Sequence, residues 1–243
     1  MALRIVAWNL NHKTRQKAIP PRLVEVLGSI NADVFVLNEY VHGDKRPPFL
    51  AQLSERGYPF WQVSRVTPVG ENHVLIASRH RIEHGTIQAP PIEKSVPSNF
   101  LHVVLPQDGC EILGLRIPDY SKEPDTKRAC WNWIIETASV TKNRPFVMIG
   151  DFNTDPDDPS TLCKNCIGKL IDDGWQLASP KEGSSWWSTK GKPFRIDHAF
   201  VSQHFNVLES RYVAELGGLS SLGSDRNSLS DHAPLLIEIQ QRQ

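Results

Sequence analysis

Asp151 and Asn153 stand two residues apart, directly behind Gly150 and the apolar run Phe146-Val147-Met148-Ile149. The run reads as a buried strand, and side chains at i and i+2 of a strand share a face. A carboxylate and a carboxamide projecting together from the end of a rigid element suit a metal, a water or a phosphate. The same residues are ordinary turn formers, and an Asx-turn running into Pro156 explains them equally well. The stretch alone supports both readings.

Four other places in the chain repeat its form. Val6-Ala7-Trp8 ends in Asn9, with Asn11 two residues on, and Phe35-Val36-Leu37 runs through Asn38 into Glu39. Asp197 lies inside a strand-like run, where an unpaired charge is costly, and Asp231-His232 precedes the last apolar segment. Each has a structural explanation of its own: a solvated strand end, a salt-bridged aspartate, a turn former, a satisfied histidine. Five such places, all carrying Asn, Asp, Glu or His, point instead to one site. Oxygen ligands with one or two carboxylates suit Mg²⁺ or Mn²⁺ rather than zinc.

The elements that would position these residues can be read from periodicity. Strands are expected over residues 3–9, 33–37, 61–66, 73–78, 86–88, 100–105, 111–115, 146–150, 185–188, 195–201, 207–213 and 234–239. Pro20-Pro21 opens a helix with Leu23, Val26, Leu27 and Ile30 at helical spacing. A short helix over 49–55 closes at Gly57, and a longer one spans about 125–140. A fourth is expected with Asp158 as N-cap and Pro159 at its first position, burying Leu162, Cys166, Ile167, Leu170 and Ile171 on one face. Residues 215–230, rich in Gly and Ser, read as a long loop before the last strand. Strands and helices mix throughout with no linker, so residues 1–243 are expected to form a single domain of sheets covered by helices.

Composition sets the outer bounds. Lys plus Arg and Asp plus Glu both number 27, so net charge neither suggests nor excludes nucleic acid. No apolar run approaches the roughly 18 residues of a membrane span, and the N-terminus lacks the pattern of a signal peptide. A cytoplasmic protein without membrane insertion is therefore expected. Four cysteines are too few for a disulfide scaffold. Cys163 and Cys166 have no second pair at zinc spacing and are expected to be buried apolar residues.

Trp8-Asn9, Asn38-Glu39, Gly150-Asp151-Phe152-Asn153, Arg195-Ile196-Asp197-His198 and Ser230-Asp231-His232 follow one another as in the endonuclease/exonuclease/phosphatase superfamily. The chain resembles that group, which includes exonuclease III, apurinic endonucleases and deoxyribonuclease I, from residue 4 to about 239. The resemblance implies a four-layer α/β sandwich: two mostly antiparallel sheets face to face, with helices outside. It also implies divalent-metal-dependent hydrolysis of phosphate esters, most of all DNA, by a monomer. The family's roles then fall on Glu39 as main metal ligand with Asn9, Asn11 or Asp231, and on Asp151 as the group that positions and deprotonates water. Asn153 would hold a phosphate oxygen, and Asp197 and His232 would form a hydrogen-bonded pair facing the phosphate. His198, pointing to the opposite face, is left out.

Two departures from the family pattern matter. Asn11 stands where apurinic endonucleases carry aspartate, and Arg116 falls where many relatives aim a His or Tyr at the phosphate. A guanidinium binds phosphate bidentately, so Arg116 is included among the catalytic candidates; its other reading is a surface arginine at a strand end. Trp186 and Phe194 match segments that form an apolar sugar pocket in apurinic endonucleases, or they are simply cross-strand packing. Two alternatives to a nuclease remain. One is the same catalysis on a phospholipid, inositol phosphate or nucleotide; the other is a relative that binds without catalysis.

Overall fold

A computed structural model describes residues 2–11, 21–44, 46–64, 71–92, 96–117, 119, 123–188, 190–216, 219–220 and 229–242. The chain begins β1 (Ala2–Asn9), α1 (Pro21–Ile30), β2 (Val34–Tyr40), α2 (Pro47–Glu55), β3 (Phe60–Val63) and β4 (His73–Ser78). It continues through β5 (Glu83–His84), β6 (Phe100–Leu105), β7 (Cys110–Arg116), α3 (Pro124–Thr141), β8 (Phe146–Asp151) and α4 (Lys164–Asp172). Then follow β9 (Gln176–Leu177), β10 (Trp186–Trp187), β11 (Pro193–Phe194), β12 (Asp197–Val201) and β13 (Phe205–Tyr212). The last elements are β14 (Glu215–Leu216), β15 (Leu219–Ser220) and β16 (Leu235–Gln241).

Two six-stranded sheets result, ordered β13-β16-β1-β2-β4-β3 and β5-β6-β7-β8-β12-β9. Alternation along the strands explains how they stack, because successive side chains leave opposite faces of a sheet. Ile5, Ala7, Val34 and Val36 of the first sheet meet Val103, Ile112, Val147 and Ile149 of the second in a central layer. The intervening residues face outward: Val6, Trp8, Phe35 and Leu37 pack on α1 and α2, and Leu113, Leu115, Phe146 and Met148 pack on Trp131, Ile134 and Ile167 of α3 and α4. Strands covered on both sides are apolar almost throughout, and β8 is buried at all six positions. The fold is the expected four-layer α/β sandwich.

The sheets are mostly antiparallel, but each has one parallel pair, β1 with β2 and β7 with β8. These pairs decide where the polar strand ends lie. Asn9 pairs with Asn38 at the end of the first pair, and Arg116 pairs with Asp151 at the end of the second. Strands running back from the same rim, β12 against β8 and β16 against β1, begin there. Six strand ends thus converge on one end of the sandwich.

Several expected elements differ. Residues 86–88 are not a strand: β5 stops at His84, and the His102 ring takes the Ile87 N–H at 3.2 Å in place of a ladder partner. Asp158 does cap, its Oδ1 accepting from Ser160 N at 2.9 Å, but this closes only a turn. Cys163 then adopts a left-handed conformation (φ 66°), and α4 starts after it. In α4, Ile167 and Leu170 are buried while Ile171 is 45% exposed. Cys163 and Cys166 are free and half-buried, not buried. Residues 215–230 are not wholly loop, since β14 and β15 pair there. Residues 217–218 and 221–228, like Pro20, 65–66 and 118, lie outside the described residues.

One glycine is dictated by the approach of two strands. Gly150, opposite Leu115, has φ 147°, and a Cβ on it would lie 1.9 Å from the Leu115 carbonyl oxygen. Gly150→Ala is expected to cost about 2 kcal/mol or more, whereas Gly168→Ala, in open space inside α4, should stabilise by about 0.5–1 kcal/mol. Urea-unfolding midpoints of the two variants check both signs.

Candidate active site

Register alone lines up the first row of the site. Arg116 on β7, Asp151 on β8 and Asp197 on β12 are direct cross-strand neighbours, and side chains directly opposite in a ladder share a face. His198, one residue further, leaves by the other face. Its ring nitrogens meet Thr154 O at 2.8 Å and Ser179 Oγ at 2.9 Å, and burial pushes its pKa down. It is structural.

The facing sheet supplies Asn9 and Glu39. The Asn9 amide donates to Asp151 Oδ2 at 2.9 Å and Glu39 Oε1 at 3.3 Å, tying the two sheets together. Beside it Asn38 donates to the Leu115 carbonyl across the same gap at 3.0 Å. Arg116 reaches from the second sheet to Glu39 Oε1 at 2.8 Å, with its Nε 3.8 Å from Asp151 Oδ2. This ion pair was not legible in the sequence, because its partners come from strands in different sheets.

Asn153 folds back on Asp151. Its backbone N–H donates to Asp151 Oδ1 at 2.9 Å, and its side-chain amide to Asp151 Oδ2 at 3.1 Å and the Ile117 carbonyl at 2.7 Å. The Asx-turn expected there is present, and its hydrogen bond fixes the Asp151 carboxylate. Lys127 of α3 donates to the Asn153 carbonyl. It was missed, although it shares the buried helical stripe of Cys130, Trp131 and Ile134.

His232 Nδ1 lies 2.8 Å from Asp197 Oδ2, the pair expected from sequence. Ser185, also missed, holds this carboxylate in place: its Oγ accepts from the backbone N–H groups of Ile196 and Asp197 at 2.9 and 3.0 Å. Its carbonyl accepts the Ala233 N–H. Trp8 Nε1 donates to the His232 carbonyl at 2.9 Å. Asp231 accepts from Trp186 Nε1 at 3.1 Å. Asn11, with φ 47°, donates its N–H to Asn9 Oδ1 at 2.9 Å.

Electrostatics follow from burial. Glu39, Asp151 and Asp197 are 5%, 1% and 0% exposed. Burial first, then the Asp197 charge, raises the Asp151 pKa to about 6, against the pull of His232 and Arg116. For His232, burial acts downward but is outweighed by Asp197, with Asp151 and Asp231 adding, so its pKa is pushed up to about 9. The Asp197 carboxylate thus favours the charged form of the ring. Among the described residues the cluster sets three carboxylates beside the Arg116 guanidinium and the His232 ring. The described residues hold no group of three His, Cys, Asp or Glu around one point. The donors that the cluster does offer, from Glu39 and Asn9, are oxygens of the kind a hard divalent cation takes.

A cavity of about 620 Å³ opens beside this cluster, lined by Asn153, Lys127, Trp186, Phe194, Ile196 and His232 among others. Trp186 and Phe194 face each other across β10 and β11 with centroids 5.5 Å apart. They are at once the cross-strand pair and the cavity wall.

The sequence model of the Endonuclease/Exonuclease/phosphatase family matches residues 6–232. The chain belongs to this family, whose members hydrolyse phosphoester bonds. No curated protein sequence matches it. Among solved structures it is similar to an endonuclease/exonuclease/phosphatase from Beutenbergia cavernae DSM 12333, at 17% identity and TM-score 0.77, covering 99% of this chain and 72% of that one. An AP endonuclease from Archaeoglobus fulgidus is similar at 17% identity and TM-score 0.74, covering 97% and 98%. The Neisseria 3′ phosphatase NExo bound to product DNA hairpin is similar at 19% identity and TM-score 0.72, covering 99% and 100%. No helix among the described residues is long and apolar enough to cross a membrane.

Because the His232 pKa is raised on folding, the stability it contributes is full below its unfolded value near 6.5 and is lost as pH rises through about 9. Asp197→Asn should lower that pKa and flatten the alkaline loss of stability. An NMR titration of the His232 ring and urea midpoints between pH 6 and 10 check the two effects.

Proposed function

We propose that this chain is a divalent-metal-dependent phosphodiesterase that cleaves DNA, as an endo- or exonuclease. The observation that carries the reading is the row Arg116, Asp151, Asp197 set against Glu39 and His232, with an open cavity at its side. A phosphodiester is anionic and repels a hydroxide, so catalysis needs both a base for water and positive charge for the phosphate oxygens.

Glu39 would hold a Mg²⁺ or Mn²⁺ ion, with oxygens from Asn9, Asn11 or Asp231 and water completing its shell. When bound, that ion supplies positive charge to the phosphate and its leaving oxygen. Asp151 is the base. Its pKa of about 6 leaves it ionised at neutral pH yet basic enough to take a proton, and the Asn153 N–H and the Asn9 amide aim its oxygens. His232, held charged by Asp197, donates to a non-bridging phosphate oxygen as negative charge grows there. Asn153 holds a second such oxygen. Trp186 and Phe194 present apolar faces to the sugar or base beside the scissile bond, as stacking surfaces indifferent to base identity.

Asp151→Asn keeps the side-chain shape and is expected to reduce Mg²⁺-dependent cleavage by about 10²–10⁴-fold with an unchanged circular-dichroism spectrum. The wild-type protein should cut duplex or abasic DNA from a panel that also holds single strands, RNA, an inositol phosphate and a lipid phosphodiester. Turnover of the lipid or inositol substrate alone would refute the nuclease reading while keeping the hydrolase. No turnover of any member in Mg²⁺ or Mn²⁺ would leave the binding relative.

A further inference from the structure

Arg116 sits where the family pattern has a neutral or weakly basic ring aimed at phosphate, yet its guanidinium is turned inward. Its Nη2 is 2.8 Å from Glu39 Oε1, and the side chain is only 15% exposed. Glu39 Oε1 also receives the Asn9 amide, which in turn holds Asp151. A guanidinium is never deprotonated in this setting, so Arg116 is a fixed positive charge beside the carboxylate assigned above to the metal. Two cations on one carboxylate oxygen repel each other strongly in a partly buried site, where screening by water is weak.

We propose that Arg116 is the resident counter-ion of Glu39 and that a divalent cation binds by displacing it. This rests on the reading of Glu39 as the metal-holding carboxylate. In the metal-free protein the guanidinium neutralises Glu39 and keeps the two sheets joined at the rim. When a cation takes Glu39 Oε1, Arg116 is released from that oxygen and its five donors become available to a phosphate. The arginine thus makes metal binding weaker than a neutral residue would, and it couples metal entry to the appearance of an anion-binding group. Relatives with His or Tyr at this position lack the fixed charge.

The test is direct titration of Mn²⁺ by calorimetry, without substrate, into the wild type, Arg116→Met, Glu39→Gln and the double variant. Arg116→Met is expected to bind Mn²⁺ about tenfold or more tightly than the wild type, as removal of a like charge at this distance requires. Without metal the same variant should unfold at a lower urea concentration, and Mn²⁺ should raise its midpoint by more than it raises that of the wild type. Glu39→Gln should lose Mn²⁺ binding in both backgrounds. Arg116→Lys, which keeps a charge of different reach, should fall between wild type and Arg116→Met, and it serves in place of the latter should that variant not fold. Equal or weaker Mn²⁺ binding by the Arg116 variants, with Glu39→Gln still abolishing it, would overturn this inference alone. Mn²⁺ binding that survives Glu39→Gln would overturn it together with the metal reading above.

Discussion

Three carboxylates with almost no access to water meet at one rim of the sandwich, and the arrangement around them answers the cost of putting them there. Buried charge is expensive unless paired and hydrogen-bonded. Glu39 is balanced by Arg116, Asp197 by His232, and Asp151 by the amides of Asn9 and Asn153 with Arg116 further off. Two members are shared between carboxylates. Asn9 serves two, and Arg116 lies near two. Such a network is worth more than its separate bonds and fails more broadly when one partner is lost. Its members come from both sheets, so it also sets their spacing at the rim.

The backbone is bent to serve the same cluster. Of the five described non-glycine residues at positive φ, three are Asn11, Glu39 and Asn153. Glu39 occupies a break in the register between β2 and β4, after Leu37. Without that bulge the period-two alternation would continue, and the residue after Asn38 would point where Leu37 does, into the outer layer over α1 and α2. The left-handed turn at Glu39 instead brings its carboxylate to Asn9 and Arg116. Strain of this kind persists only where surroundings hold it. Here the holders are the Asn9 and Arg116 contacts on one side and Tyr40, buried against Phe49, on the other.

These observations show what was legible in the sequence and why. The polar residues closing apolar strands were readable because alternation is local and Asp197, inside a buried run, had to be paired. The partner, His232, was named by family pattern, and it lies where expected. The direction of Arg116 was not readable: a strand-end arginine next to Ile117 looks the same whether it faces solvent, a phosphate or Glu39 across the sheets. Lys127 and Ser185 were hidden for the opposite reason. Each sits in an ordinary pattern, a helical stripe and a serine before tryptophans, and gains its role only from strands over ten residues away. The start of α4 was misplaced because the Asp158 cap signal is genuine but is spent on a turn that Cys163 ends.

The cavity wall, finally, is tied to the buried polar cluster through one hairpin. Trp186 belongs to β10, pairs with Phe194, bridges to His232 in a short antiparallel contact and donates to Asp231. The wall of the cavity and the backbone of His232 are therefore parts of one hydrogen-bonded unit, closed again by Ser185 and Ala233. A ligand that presses on Trp186 presses on the element that orients His232. Under the proposed reading, binding energy from a sugar or base would steady His232 at the phosphate, and a substrate lacking that portion would leave the histidine less well held. On that reading recognition would act on the catalytic step itself, not only on affinity.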